Sequence, residues 1–96
     1  MPGYKLSEEA DEDIQNILRY GILNFGVAQA LKYHSELETR FELLAQFSRI
    51  GTPVYDLRAG LYRYPHKAHA IFYTIGEDDI FICRVLVATA DFKRHF

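Results

Sequence analysis

Residues 61–87 read LYRYPHKAHAIFYTIGEDDIFICRVLV, and this stretch decides the fold. Aromatic and β-branched residues dominate Leu61–Pro65, Ala70–Ile75 and Ile80–Val87, which predicts three strands. Gly76-Glu77-Asp78-Asp79 separates the last two as the turn of a β-hairpin. Strict alternation puts Phe81, Cys83, Val85 and Val87 on one face of the last strand, with Ile80, Ile82, Arg84 and Leu86 on the other. The hairpin partner divides the same way, with Ala70, Phe72 and Thr74 opposite Ile71, Tyr73 and Ile75. The all-apolar face is expected to pack on helices. The other face is also mostly apolar, and the chain has little beyond Ala88–Phe96 to cover it, which suggests a protein-binding surface.

Upstream of this stretch the period is that of a helix. Ser7 stands as an N-cap before Glu8, Glu9, Asp11, Glu12 and Asp13, acidic residues that suit the positive end of a helix dipole. Ile14, Ile17, Leu18, Ile22 and Phe25 then form one apolar stripe. Gly26 ends this helix, and Ala30, Leu31, His34, Leu37, Phe41, Leu44 and Ala45 mark a second. Glu36 precedes Arg40 by one turn, the favourable order for an ion pair. The spacing predicts helices over about 8–25 and 27–48, broken by Gly51-Thr52-Pro53, after a short extended stretch at Gly3–Leu6. The predicted class is α+β: an N-terminal strand, an antiparallel helical hairpin, then a three-stranded antiparallel sheet packed on the helices.

The chain has 96 residues, enough for one domain spanning 1–96. Its 49% hydrophobic and 25% charged residues exclude a disordered chain. A single cysteine excludes an internal disulfide. No apolar run reaches the length of a membrane span, and the first residues lack the apolar stretch of a secretory signal, so a soluble cytoplasmic protein with no membrane partner is expected. Residues 1–48 carry four basic and eight acidic side chains, whereas residues 49–96 carry seven and five. An acidic partner is therefore expected to prefer the C-terminal half.

Among candidate chemical groups, His66 and His69 lie three apart in an extended region and are expected to face opposite ways, which chelates poorly. Asp91 and His95 supply too few ligands for a structural zinc. Cys83 reads as a small, inert core residue rather than a nucleophile. No phosphate-binding Gly-rich loop, nucleophile elbow or zinc-protease motif occurs. No catalytic residue, metal or cofactor is predicted. The basic set Arg58, Arg63, Lys67 and Arg84 is harder to dismiss, because an arginine on an apolar strand face needs a carboxylate, a phosphate or water. Pairing with Asp56, Asp79 or Asp91 and contact with an acidic partner or an RNA backbone both remain open.

Several segments together resemble the ParE toxins of the RelE/ParE superfamily of bacterial toxin–antitoxin systems. They are Tyr4-Lys5-Leu6-Ser7-Glu8-Glu9-Ala10 with Asp13-Ile14 and Ile17, then Arg40-Phe41-Glu42-Leu43-Leu44-Ala45-Gln46-Phe47 with Gly51. The most telling are Gly60-Leu61-Tyr62-Arg63, Ile71-Phe72-Tyr73 and Ile82-Cys83-Arg84-Val85-Leu86, with Asp91 beyond. The resemblance implies the same α+β fold and a toxin that poisons DNA gyrase and blocks replication. It also implies neutralisation by a ParD-like antitoxin in a hetero-oligomer, with operator DNA bound by the antitoxin and not specifically by this chain. Arg63 and Arg84 match arginines of the family pattern. Val87 departs from it, since many relatives carry histidine there.

The expected partner-binding or target-binding residues are Arg58, Arg63, Lys67, Ile82, Arg84 and Leu86. A ribosome-dependent mRNA endoribonuclease of the RelE type is the first alternative. It needs acid–base groups, but Arg84 is followed by Val85-Leu86-Val87, which cannot transfer protons. A non-toxic interaction domain is the second alternative, and bacterial expression separates it from both toxins.

Overall fold

The computed structural model describes residues 3–96. In chain order the elements are β1 (Gly3–Leu6), α1 (Glu8–Phe25), α2 (Val27–Gln46), β2 (Thr52–Pro53), β3 (Tyr62–His66), β4 (His69–Ile75) and β5 (Asp79–Val87), followed by a short 3-10 helix at Phe92–His95. The strands form one sheet in the order β1-β5-β4-β3-β2. β1 runs parallel to β5 and the remaining neighbours pair antiparallel. The helical hairpin and the β3–β5 meander fall where the periodicity puts them. Two features differ from expectation: the sheet is mixed and five-stranded, and Thr52–Pro53, read as a helix breaker, pairs with β3 as its edge strand.

Local chemistry explains the ends of the helices. The Ser7 hydroxyl accepts the Ala10 N–H at 3.0 Å, the expected N-cap, and donates to the Cys83 carbonyl at 2.7 Å. Gly26 joins the helices at a φ of 91°, a conformation that a side chain would strain. Gly51 is needed for a different reason. Its N–H donates to the Tyr73 hydroxyl at 3.0 Å, and a Cβ at this position would run into that hydroxyl.

The sheet departs from strict alternation at one place. Phe72 pairs with Arg84 while Tyr73 pairs with Ile82, so Cys83 is the extra residue of a β-bulge. A bulge reverses the parity of everything beyond it. Ile80, Ile82 and Val85 therefore all join the helix-side core, with Leu37, Phe41, Leu44, Ile71 and Tyr73. Cys83 and Leu86 lie on the opposite face with Leu61, Ala70 and Phe72. The predicted grouping of Ile82, Arg84 and Leu86 on one face is thus corrected, and so is that of Val85 with Phe81.

The second face is also covered, contrary to the expectation that it would lie open. Val54 and Leu57 pack on it from the β2–β3 loop, and Phe92 and Phe96 from the C-terminal tail. Both phenylalanine rings sit 4.9 Å, centroid to centroid, from Phe72. No helix among the described residues is long and apolar enough to cross a membrane.

Candidate partner-binding surface

Three of the four basic residues singled out in the sequence converge on the tail. The Arg58 guanidinium lies 5.3 Å from the centre of the Phe96 ring, and its Nη2 is 3.0 Å from Cys83 Sγ. Arg63, on β3, sits 5.8 Å from the centre of the Phe92 ring, with its Nε buried and without a hydrogen bond among the described residues. Arg84 meets His95, its Nη1 3.3 Å from Nδ1. Each arginine therefore touches a different residue of the last five. Lys67 lies apart, in the two-residue β3–β4 turn, with its Nζ 2.6 Å from Glu36 of α2. Ile82 is fully buried beneath the helices, and Leu86 is buried under the tail. Neither is available on the surface of the folded chain.

Arg84 is also satisfied by a partner that sequence reasoning did not consider. Its Nε donates to Asp13 Oδ2 at 2.8 Å and its Nη2 to Oδ1 at 2.9 Å, a bidentate pair. The same carboxylate accepts the Val85 N–H at 3.0 Å, just beyond the point where β1 stops pairing with β5. Asp13 thus takes the place of a strand along this edge. The pairing pushes the Arg84 pKa further up, through the Asp13 hydrogen bonds above all. The expected partners Asp56, Asp79 and Asp91 are not used by Arg84, and Asp13 does more than favour a helix dipole. One clue was present: Asp13 lies beyond the first turn of α1, where the dipole effect has faded.

The histidines also differ from expectation. His66 and His69 are direct cross-strand partners in the tight turn, so they share a face. Tyr33 of α2 lies between them, its ring centre 5.5 Å from each, and its hydroxyl is 2.6 Å from His69 Nδ1. Burial lowers the pKa of both histidines. Glu36 pairs with Lys67 and approaches His66, rather than pairing with Arg40. No group of three or more metal-ligating side chains gathers among the described residues.

A second surface went unnoticed in the sequence. At about 1.5 Å per residue, an 18-residue helix such as α1 extends about 27 Å, yet its buried residues are Ala10 and Ile14, both in its first half. The far end of the hairpin overhangs the sheet. Ile22 and Phe25, expected in the α1 core stripe, and Leu31, expected in that of α2, are exposed there beside Tyr20 and Val27, and Leu23 reaches 85% exposure. Between the helices and the β3–β4 turn lies a groove of about 460 Å³, lined mainly by Ile17, Tyr20, Phe25, Ala30, Tyr33 and His69. Its walls are apolar and its size suits a few side chains of a partner.

Comparison with known proteins follows the same geometry. The family model described as the ParE toxin of the type II toxin–antitoxin system parDE matches residues 4–92. Toxin ParE1 of Caulobacter vibrioides is 35% identical over 95 residues, covering 99% of this chain and 98% of that protein. Toxin ParE1 of Mycobacterium tuberculosis is 31% identical over 93 residues, covering 96% and 95%. A solved structure from a chromosomal ParDE system of P. aeruginosa superposes with a TM-score of 0.78 at 18% identity, covering 91% of this chain and 96% of the other, which supports the fold. The chain belongs to the ParE toxin family of type II toxin–antitoxin systems.

Proposed function

We propose that this toxin acts in the cytoplasm by binding and inhibiting DNA gyrase, without chemistry on its own side chains, and that a ParD-like antitoxin neutralises it. The carrying observation is the engagement of Arg84. An arginine that stabilises a cleaving phosphodiester must present its donor fork to the phosphate, whereas Asp13 occupies Nε and Nη2 here. The residues that follow it, Val85, Leu86 and Val87, supply neither acid nor base. Arg58 and Arg63 beside the tail's aromatic rings suit a protein target instead, since arginine over aromatic rings is a common component of protein interfaces. The apolar groove and the overhanging hairpin end suit an amphipathic antitoxin segment.

The test is a gyrase supercoiling assay run beside a translation-dependent mRNA cleavage assay. Inhibited supercoiling, restored by antitoxin, with intact mRNA is the expected result. Cleavage products that vanish in His95→Ala would transfer the assignment to the ribonuclease reading, because His95 is the titratable group nearest Arg84 on the tail. A chain that is harmless when expressed without antitoxin would leave only the interaction-domain reading.

A further inference from the structure

Below the helical hairpin, α2 and the β3–β4 turn enclose an open cleft of about 420 Å³, separate from the tail surface. Lys32 and Arg40 from α2 and Lys67 from the turn line it, opposed by one carboxylate, Glu36. His66, only 6% exposed, also lines it. Arg40 Nε lies 3.4 Å from His66 Nδ1, and since arginine can only donate, Nδ1 accepts and the ring hydrogen of the neutral histidine sits on Nε2. That Nε2–H has no hydrogen-bond partner among the described residues. Glu36 Oε1 is 3.4 Å away but outside hydrogen-bond alignment, and the same oxygen receives Lys67 Nζ at 2.6 Å.

A buried donor whose nearest acceptor, Glu36 Oε1, is poorly aligned and already held by Lys67 is under-satisfied, which is costly. His66 lines a cleft whose three cations exceed its one carboxylate by two positive charges, the complement of a phosphate dianion. A nucleic-acid backbone fits less well, because polymer binding needs a continuous cationic track. Glu38 and Glu42 add further negative charge to α2, and the whole chain carries a net charge of −2. We propose that this cleft binds the phosphate group of a small ligand, held by Lys32, Arg40 and Lys67, with Glu36 as a built-in competitor that swings off Lys67 and His66 Nε2 when phosphate enters and so leaves the Nε2–H to the phosphate. This site is independent of the gyrase reading.

The full chain is titrated with inorganic phosphate at constant ionic strength and followed by NMR, with chloride as the control. Saturable shifts are expected in the His66 ring and in the amides of Lys32, Arg40 and Lys67. Lys32→Ala and Arg40→Gln should each weaken binding, Arg40→Gln by about tenfold or more. Glu36→Gln should tighten it severalfold, whereas Glu77→Gln in the distant β4–β5 turn should not. Lys32 is exposed, so its variant keeps the test decisive if Arg40→Gln perturbs folding. A nucleoside monophosphate that binds more tightly than phosphate identifies an organic phosphate as the ligand; equal affinity identifies free phosphate. The proposal is overturned by shifts that never saturate or by equal tightening in both glutamate variants. A single-stranded RNA that saturates these residues when phosphate does not would overturn it as well.

Discussion

On one side of the sheet, Ile71, Tyr73, Ile80, Ile82 and Val85 meet Leu37, Phe41 and Leu44, supplied by a 20-residue helix. On the other side, Phe72 and Leu86 meet Phe92 and Phe96, supplied by the last residues of the chain. The strand residues are of the same kind on both faces; the covers are not. The helix-side cover is held along its length by backbone hydrogen bonds and by many apolar contacts. The tail is a single 3-10 turn whose contacts are two phenylalanines and three cationic neighbours. Apolar strand faces therefore do not by themselves say which side is permanent core and which is a cover that a partner can exchange.

The largest effect that sharpens this contrast is Ile82→Asp. The side chain has no exposure and packs among Leu37, Phe41, Leu44 and Tyr73, so the carboxylate would be buried among apolar groups. A loss of about 4–5 kcal/mol or more is expected, enough to unfold most of a domain of this size. Denaturant unfolding measures it. Leu86→Asp, under the tail, should cost clearly less, because the tail can lift and admit water. Equal losses would erase the distinction between the two faces.

Next comes Asp13→Ala, at the edge that joins the faces. It strands the Arg84 fork and the Val85 N–H together. Arg84 retains 17% exposure, so water relieves part of the penalty, and a loss of about 2–3 kcal/mol is expected. Arg84→Ala in the Asp13→Ala background should then cost almost nothing further, because the two residues act as a unit. Additive losses would mean that Arg84 is held mainly by Glu9 and His95 instead.

The Asp13–Arg84 pair also marks where the sequence became illegible. The two helices, β1 and the β3–β5 strands, the Ser7 cap, the hairpin at Gly26 and the turn at Gly76 follow from local chemistry, and all are readable residue by residue, whereas the short edge strand at Thr52–Pro53 reads only as a breaker. The bulge at Cys83 is not readable in this way. It is fixed by Ser7, whose N–H donates to the Ile82 carbonyl at 3.0 Å and whose hydroxyl donates to that of Cys83 at 2.7 Å. That anchor is 76 positions away, and no local pattern announces it. One undetected extra residue was enough to misplace Val85 and to group Ile82 with Leu86. The gathering of Arg58, Arg63 and Arg84 around the tail was half visible. Their residue types flagged them, but the rings they touch come from a segment with no strong period of its own.

Phe96→Ala probes the weaker cover directly. The ring is half-buried, so a loss of about 1–2 kcal/mol is expected, below the cost of a fully buried phenylalanine. An apolar dye should bind more strongly to the variant as Phe72 becomes accessible. Dye binding unchanged from the parent chain would show that Val54 and Leu57 suffice to close this face.

The smallest expected effect is a pH dependence confined to the helix side. His66 and His69 face Tyr33 of α2, and burial holds both below the ordinary histidine pKa of 6.5. The unfolded chain therefore binds protons near that pH that the folded chain refuses. Their contribution to stability is full above pH 6.5 and is lost as pH falls through the lowered folded values. The Tyr33 hydroxyl, 2.6 Å from His69 Nδ1 and donating to the His66 carbonyl at 3.3 Å, ties both histidines to α2. Glu36, held low by Lys67, adds a separate loss that begins only as pH drops toward and below 4.5. Denaturation midpoints measured at pH 7.5 and 5.5 should thus differ in favour of the higher pH. Tyr33→Ala, which opens both histidines to water, should shrink that difference while His95→Ala on the tail side leaves it intact. A pH dependence that disappears in His95→Ala would place the titrating contact under the tail and reverse the assignment of the two faces.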